Sequence, residues 1–194
     1  MLDKLEKIEI LKNENHILIK TGSIELKTIN RNDIEMIRHW RNLPHVRTQM
    51  IYQNSITEEE QIAWFNKLDI TKNYYFIISH KKQDIGLVNL KNIEKKDHSA
   101  EYGLFIGEIS ALNSGIGLVI AFLINHFAFS FLELDKVYAT VLKSNKTARK
   151  MNEMLGFKAL EDKLDFETLT TSKEEFYASS KRLSTFIKAF QKIN

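Results

Sequence analysis

The sequence has no cysteine, a single proline and only seven glycines in 194 residues. Without cysteine there can be no disulfide, no thiolate metal site and no acyl-cysteine intermediate. An apolar run of membrane-spanning length is also missing, because the longest candidate, residues 115–134, is interrupted by Asn125, His126, Ser130 and Glu133. The first segment, Met1-Leu2-Asp3-Lys4-Leu5-Glu6-Lys7, is too charged for a secretory signal, so the cytoplasm is the expected location. No charge of one sign dominates: 28 Lys and Arg stand against 25 Asp and Glu, a net +3, and they are scattered. That balance argues against a nucleic-acid partner and leaves a small anionic ligand open.

What is present fits one globular domain, with 43% hydrophobic and 27% charged residues, enough to bury a real core. Residues 1–23 read as an N-terminal extension, an extra strand or arm around His16-Ile17-Leu18-Ile19, ahead of a domain over 24–194. Ile24 to Ile29 alternates as a first strand, and Asn32-Asp33 starts a helix carrying Ile34, Ile37 and Trp40 that stops before Pro44. Thr57-Glu58-Glu59-Glu60 is a capping box for a second helix with Ile62, Phe65 and Leu68. Tyr74 to Ser79, Ile85 to Ile93 and Ser99 to Ile106 read as antiparallel strands, joined across Lys81-Lys82-Gln83-Asp84 and Lys95-Lys96-Asp97.

Leu112-Asn113-Ser114-Gly115-Ile116-Gly117 then ends in a Gly-x-Gly that opens a long apolar helix with Ile116, Ile120, Leu123, Phe127 and Phe131 at helical spacing. Backbone N–H groups at such a helix start can close on a phosphate. Asp135 to Leu142 returns as a strand parallel to the one before the helix, as a right-handed crossover requires. A helix from Asn145 ends at Gly156, and two more strands, Ala159 to Asp165 and Glu174 to Ser180, precede a C-terminal helix over Ser184 to Ile193. The expected fold is α/β (α+β): a mixed, mostly antiparallel twisted sheet flanked by about four helices, with one parallel strand pair splayed at its C-terminal end.

This order of elements, with the run Ala100-Glu101-Tyr102-Gly103-Leu104-Phe105-Ile106-Gly107-Glu108 leading into it, resembles the GNAT family of acetyl-CoA-dependent N-acyltransferases from about Ile24 to about Leu183. Gly115 and Gly117 fit the family's Gln/Arg-x-x-Gly-x-Gly/Ala loop, with Leu112 where a polar residue is usual. Asn145, Ala148 and Leu155-Gly156-Phe157 match its Asn-x-x-Ala and Gly-Phe signature. The resemblance implies acetyl-CoA as co-substrate and no metal, with the pantetheine arm entering the crevice between the splayed strands. It places the acetyl-CoA contacts at Leu104, Phe105, Ile106, Leu112, Asn113, Ser114, Gly115, Ile116, Gly117, Asn145 and Ala148.

Amide formation from a thioester needs an unprotonated amine, a held carbonyl and a protonated leaving sulfur. With no cysteine, direct transfer is the simplest route. Glu101 is the candidate base, by resemblance to a glutamate on the equivalent strand, with His98 in reserve and Glu108 disfavoured beside an anion loop. Where many family members carry a tyrosine as acid, seven residues after the helix-starting Asn, this chain has Asn152, so Tyr138 or Tyr102 is the candidate hydroxyl.

The string His39-Trp40-Arg41-Asn42-Leu43-Pro44-His45-Val46-Arg47, then Met50 and the Thr57 to Phe65 helix, resembles GNAT enzymes that acylate nucleotide-linked 4-amino-4,6-dideoxysugars, as in the pseudaminic acid pathway. Arg41 then suits a nucleotide phosphate and Met50 a deoxysugar methyl, with Trp64 and Tyr102 completing the acceptor site. Gln61 stands where those enzymes tend to have histidine. The alternative keeps Trp40 and Trp64 as core and Arg41 and Arg47 as surface cations. Three functions are set against each other: an aminosugar-nucleotide N-acetyltransferase, a ribosomal-protein-type N-terminal amine acetyltransferase, and a CoA-binding sensor without transferase activity. A homodimer is left open.

Overall fold

The computed structural model describes residues 8–13 and 16–192. Alternation of apolar residues builds its N-terminal edge from strands β1 (Glu9–Asn13), β2 (His16–Thr21) and β3 (Ile24–Thr28). Ile17, Ile19, Ile24 and Leu26 are all buried on one face. The segment before residue 24 thus adds two strands to the sheet. A meander follows of β4 (Tyr74–His80), β5 (Gln83–Glu94) and β6 (Ser99–Ile106). Its first hairpin turns on Lys81 and Lys82, both at positive φ (51° and 65°), the geometry a two-residue turn between twisted strands needs. Strands β7 (Lys136–Leu142), β8 (Lys158–Asp162) and β9 (Phe166–Ser172) complete one nine-stranded sheet, ordered β1-β2-β3-β4-β5-β6-β7-β9-β8. Every neighbouring pair is antiparallel except β6 and β7.

The pleat sends alternate residues to two separate cores. Ile77 and Leu87 pack with Ile37 and Trp40 of α1 (Ile34–Asn42) and with Trp64 and Phe65 of α3 (Glu58–Asn66). Phe76, Ile78 and Val88 face the other way, onto α4 (Ile116–Ser130), with Leu155 at the end of α5 (Lys146–Met154) and Phe176 of α6 (Lys173–Lys192) in the same cluster. Pro44 ends α1 and opens the four-residue α2 (Pro44–Arg47), so the described chain has six helices instead of about four. Residues of α4 are buried nearly all round, because the sheet covers one side and α6 another. Among the described residues no helix is long and apolar enough to cross a membrane.

The C-terminal segment departs from the sequence expectation. Phe166–Ser172, with three threonines, is the strand that pairs with β7 along its whole length. The segment expected as a strand, Glu174 to Ser180, is instead the start of α6, which begins eleven residues earlier than expected. The cause is a second capping box: Ser172 Oγ accepts from Glu175 N at 3.2 Å, and Glu175 Oε2 accepts from Ser172 N at 3.2 Å. From there Phe176, Ser180, Leu183 and Ile187 recur at helical spacing and are buried. Phe176 lies 5.5 Å from the Phe122 ring and 5.2 Å from that of Phe129, both on α4.

Candidate active site

The parallel pair supplies the opening. β6 and β7 are paired only at Ser99 to Lys136, Ala100 to Val137 and Glu101 to Tyr138. Beyond Glu101, β6 continues to Ile106 on β5, and beyond Tyr138, β7 continues to Leu142 on β9. The two inner edges therefore diverge with peptide N–H and C=O groups left without strand partners, which fits an amide-bearing pantetheine arm laid between them as an extra strand. Leu104, Phe105 and Ile106 lie along this diverging part of β6.

At the mouth of the split, Leu112, Asn113 and Ser114 are exposed and Gly115 precedes α4 at φ 84°, a conformation that favours glycine. Ser114 Oγ accepts from Ile116 N at 3.3 Å and donates to Ala111 O at 2.8 Å, which fixes the loop. A Cβ on Gly115 would stand 2.7 Å from the Phe186 ring of α6, whereas one on Gly117 would meet only Met151 Sδ at 3.8 Å. Gly115 is thus also a packing position for the C-terminal helix. Asn145 caps α5, its Oδ1 accepting from Ala148 N at 3.0 Å.

On the α1 and α3 side of the split lies a cavity of about 550 Å³. Its floor is the β5–β6 face, where Leu87 pairs with Phe105, Asn89 with Gly103 and Lys91 with Glu101, and Thr140 and Leu142 of β7 form one wall. Arg41, Met50, Gln61 and Trp64 close it from the helices and from the loop after α2. The Trp-Arg-Asn-x-Pro string is divided among distinct tasks. Trp40 is buried and donates from Nε1 to Glu108 Oε1 at 2.9 Å, beneath Gly107, where a Cβ would come within 2.3 Å of its ring. Asn42 clasps the far end of the loop, donating from Nδ2 to Ile56 O at 2.9 Å and accepting from Ile56 N at 2.8 Å. Arg41 turns into the cavity, while Arg47 is engaged at the surface with Ser55. Trp40 is therefore core, while Arg41 lines the cavity.

Charge in the cavity is unevenly matched. Lys91 Nζ lies 3.0 Å from Glu101 Oε1, which also accepts from Thr140 Oγ1 at 3.2 Å. Glu60 Oε2 accepts from Thr57 N in its capping box. Arg41 is held below its ordinary pKa by burial alone, and its Nη1 is buried with no hydrogen-bond partner. Gln61 Nε2 and Asn89 Oδ1 are likewise buried and unpartnered. Three such atoms on residues lining one cavity, two donors and one acceptor, suit a polar guest, since each costs about 1–3 kcal/mol when left unmatched.

Tyr102 also lines the cavity, but its side chain crosses to the α5 side, where the buried hydroxyl donates to Asn152 Oδ1. Tyr138 stands at the last β6–β7 pair and is not among the cavity-lining residues. His98 sits at the far turn, 3.7 Å from Asp135. Asn89, Lys91 and Thr140 were not singled out from the sequence. Their place depends on cross-strand register, and only the alternation shared with Glu101 hinted at it. Among the described residues no group of three or more His, Cys, Asp or Glu side chains could hold a metal.

Comparison with known proteins agrees with this architecture. Residues 23–158 match the family model described as an acetyltransferase (GNAT) domain. The acetyltransferase PseH of Campylobacter jejuni is 32% identical over 139 residues, covering 71% of this chain and 85% of that protein. The crystal structure of Campylobacter jejuni N-acetyltransferase PseH in complex with acetyl coenzyme A superposes with a TM-score of 0.60 at 27% identity, covering 77% of this chain and 99% of that one. The spermidine N-acetyltransferase of Vibrio cholerae, solved with CoA and spermine, shares the fold at a TM-score of 0.73 and 20% identity over 80% of this chain and 98% of that one. The split sheet, the loop ahead of α4 and these matches together place the chain in the GNAT family, as an acetyl-CoA-dependent N-acetyltransferase.

Proposed function

We propose that the acceptor is the amine of a nucleotide-linked aminodeoxysugar, acetylated directly from acetyl-CoA in the cytoplasm during synthesis of a bacterial surface or flagellin glycan. The observation that carries this reading is Arg41, a cation lining the acceptor cavity whose Nη1 is buried without a partner. Burying an uncompensated guanidinium is costly, and a nucleotide diphosphate returns that cost through charge-assisted hydrogen bonds. Met50 supplies an apolar contact for a deoxysugar methyl, and Ile51 and Tyr52, 56% and 49% exposed, offer apolar surface at the mouth for a base. The similarity to PseH supports the same class of acceptor.

A polyamine suits the cavity poorly. Its two carboxylates are engaged by Lys91 and by the Thr57 cap, so a chain of ammonium groups would meet an unpaired arginine and no free acid. Glu101 faces the acceptor side and can take the proton an amine sheds. Its oxygens are aligned by Lys91 and Thr140.

Titration calorimetry with UDP tests the reading. UDP should bind the wild-type protein, and Arg41→Ala should weaken that binding about 10- to 100-fold, the range for charge-assisted bonds of roughly 1.5–3 kcal/mol. No detectable UDP binding, or equal binding by the variant, would remove the nucleotide from the acceptor.

A further inference from the structure

We propose that Tyr102 of β6 is the hydroxyl that protonates the departing sulfur, with Asn152 of α5 as its holder. The inference rests on acetyl transfer from acetyl-CoA and needs no particular acceptor. Acyl donor and acceptor must meet where the split between β6 and β7 opens into the cavity. Tyr102 is the first β6 residue past the last pair, Glu101 to Tyr138, and Thr140 on β7 faces the cavity across the opening. Tyr102 borders the cavity, its side chain turns to the α5 side, and its hydroxyl donates to Asn152 Oδ1, so the phenol bridges from one splayed strand to the helix that follows the other.

The holder is itself fixed. Asn152 is buried, its Nδ2 donates to Ala148 O at 3.0 Å, and its carboxamide oxygen is thereby aimed at the phenol. Phe157, 5.4 Å from the Tyr102 ring, closes the other side. Burial pushes the phenol above its ordinary pKa, so it is protonated throughout the neutral range and arrives at the reaction as a donor. The other tyrosines near the opening are placed differently: Tyr138 lies outside the lining, Tyr52 is 49% exposed in the loop after α2, and Tyr75 belongs to the Trp64 side of the cavity, its ring 5.1 Å from that indole.

In the step itself, the amine nitrogen bonds to the acetyl carbon as the carbon–sulfur bond breaks. Sulfur keeps the bonding pair, and Tyr102 gives it the phenolic proton. The proton that nitrogen sheds to Glu101 returns through the cavity to the phenolate, leaving both residues as they began. Asn152 holds the hydroxyl before and after.

The test reads the sulfur without requiring any acceptor. The thiol of enzyme-bound CoA is titrated by its thiolate absorbance in the wild type, in Tyr102→Phe and in the double variant Tyr102→Phe/Asn152→Tyr, which returns a hydroxyl from the helix side. A donor at the sulfur stabilises the thiolate, so Tyr102→Phe should shift the bound thiol's titration upward by about one pH unit, a tenfold change in its acidity. The double variant should bring it back. Turnover with a UDP-4-amino-4,6-dideoxysugar should fall about 10²-fold in Tyr102→Phe, while the acetyl-CoA dissociation constant moves less than threefold. Identical thiol titrations in wild type and Tyr102→Phe would overturn the proposal. If the wild type ignores the sugar nucleotide, the acceptor reading fails and the thiol titration still decides Tyr102. Thermal unfolding confirms that each variant is folded, and should Tyr102→Phe not fold, Asn152→Ala, which removes the holder of the hydroxyl, should shift the bound thiol's titration upward in its place, an unchanged titration overturning the proposal.

Discussion

Glu101 holds its position through three neighbours on the two flanking strands: Lys91 at 3.0 Å and Asn92 at 3.4 Å on β5, and Thr140 at 3.2 Å on β7. Replacing it with glutamine keeps the shape and removes the negative charge that accepts a proton. Turnover in Glu101→Gln should fall about 10²-fold or more while acetyl-CoA binding by calorimetry stays within about threefold, because the residue faces the acceptor cavity and not the anion loop. Undiminished turnover would take the base role from Glu101. At this scale a residue type that is itself unusual for its setting is the most legible. Arg41, Met50, Trp64, Glu101 and Tyr102 come together around the cavity, and Leu104 and Phe105, expected as acetyl-CoA contacts, line it too. Asn89, Lys91 and Thr140 were not legible, since an Asn, a Lys or a Thr in a strand is ordinary until the register sets it opposite Gly103 or beside Glu101.

Among the elements, α6 does more than finish the chain. Its first turns close over α4 through Phe176 and Tyr177, and His126 of α4 lies between Tyr177 and Phe122, stacked on the Phe122 ring at 5.8 Å, with Nδ1 3.1 Å from the Tyr177 hydroxyl. Burial lowers the His126 pKa below 6.5, so the folded protein resists protonating a ring that the unfolded chain protonates readily. Stability from this group is therefore full above about pH 6.5 and is lost as pH falls through the interval down to the folded-state value, by at most about 1.4 kcal/mol per unit. Unfolding midpoints measured from pH 7.5 to 5 should fall more steeply for wild type than for His126→Phe. Parallel profiles would show that the imidazole does not report on this contact.

The same elements show where pattern reading failed. Glu174 to Ser180 contains Phe176 and Tyr177 and invites a strand, but Ser172 and Glu175 at capping-box spacing start a helix one residue earlier. The threonine-rich run before it gives little apolar signal beyond Phe166 and Leu169, although β-branched threonines suit a half-covered strand between β7 and β8. By contrast, β4 to β7 and α4 were legible nearly to the residue. Their turns carry local chemistry at Lys81-Lys82 and Gly115, and their apolar periodicity runs without interruption.

For the whole molecule, the central feature is one sheet with helices on both faces and a single split that connects them. The cavity lies on the α1 and α3 side and the loop ahead of α4 on the other, so in the proposed reaction acetyl-CoA and acceptor approach from opposite faces and meet at residues 101 to 103. This arrangement explains why the family was readable from the order of elements, which the crossover rules constrain, while the acceptor depends on a few side chains that close the cavity. The most direct measurement is CoA release from acetyl-CoA by the purified protein, offered UDP-linked 4-amino-4,6-dideoxysugars, dTDP-linked aminosugars, peptides with free N-termini and spermidine at equal concentration. The account expects release with a nucleotide-linked aminosugar, a lower kcat/KM for every other acceptor, and a loss of about tenfold or more in Arg41→Ala. Faster release with peptides or spermidine than with any sugar nucleotide would contradict it.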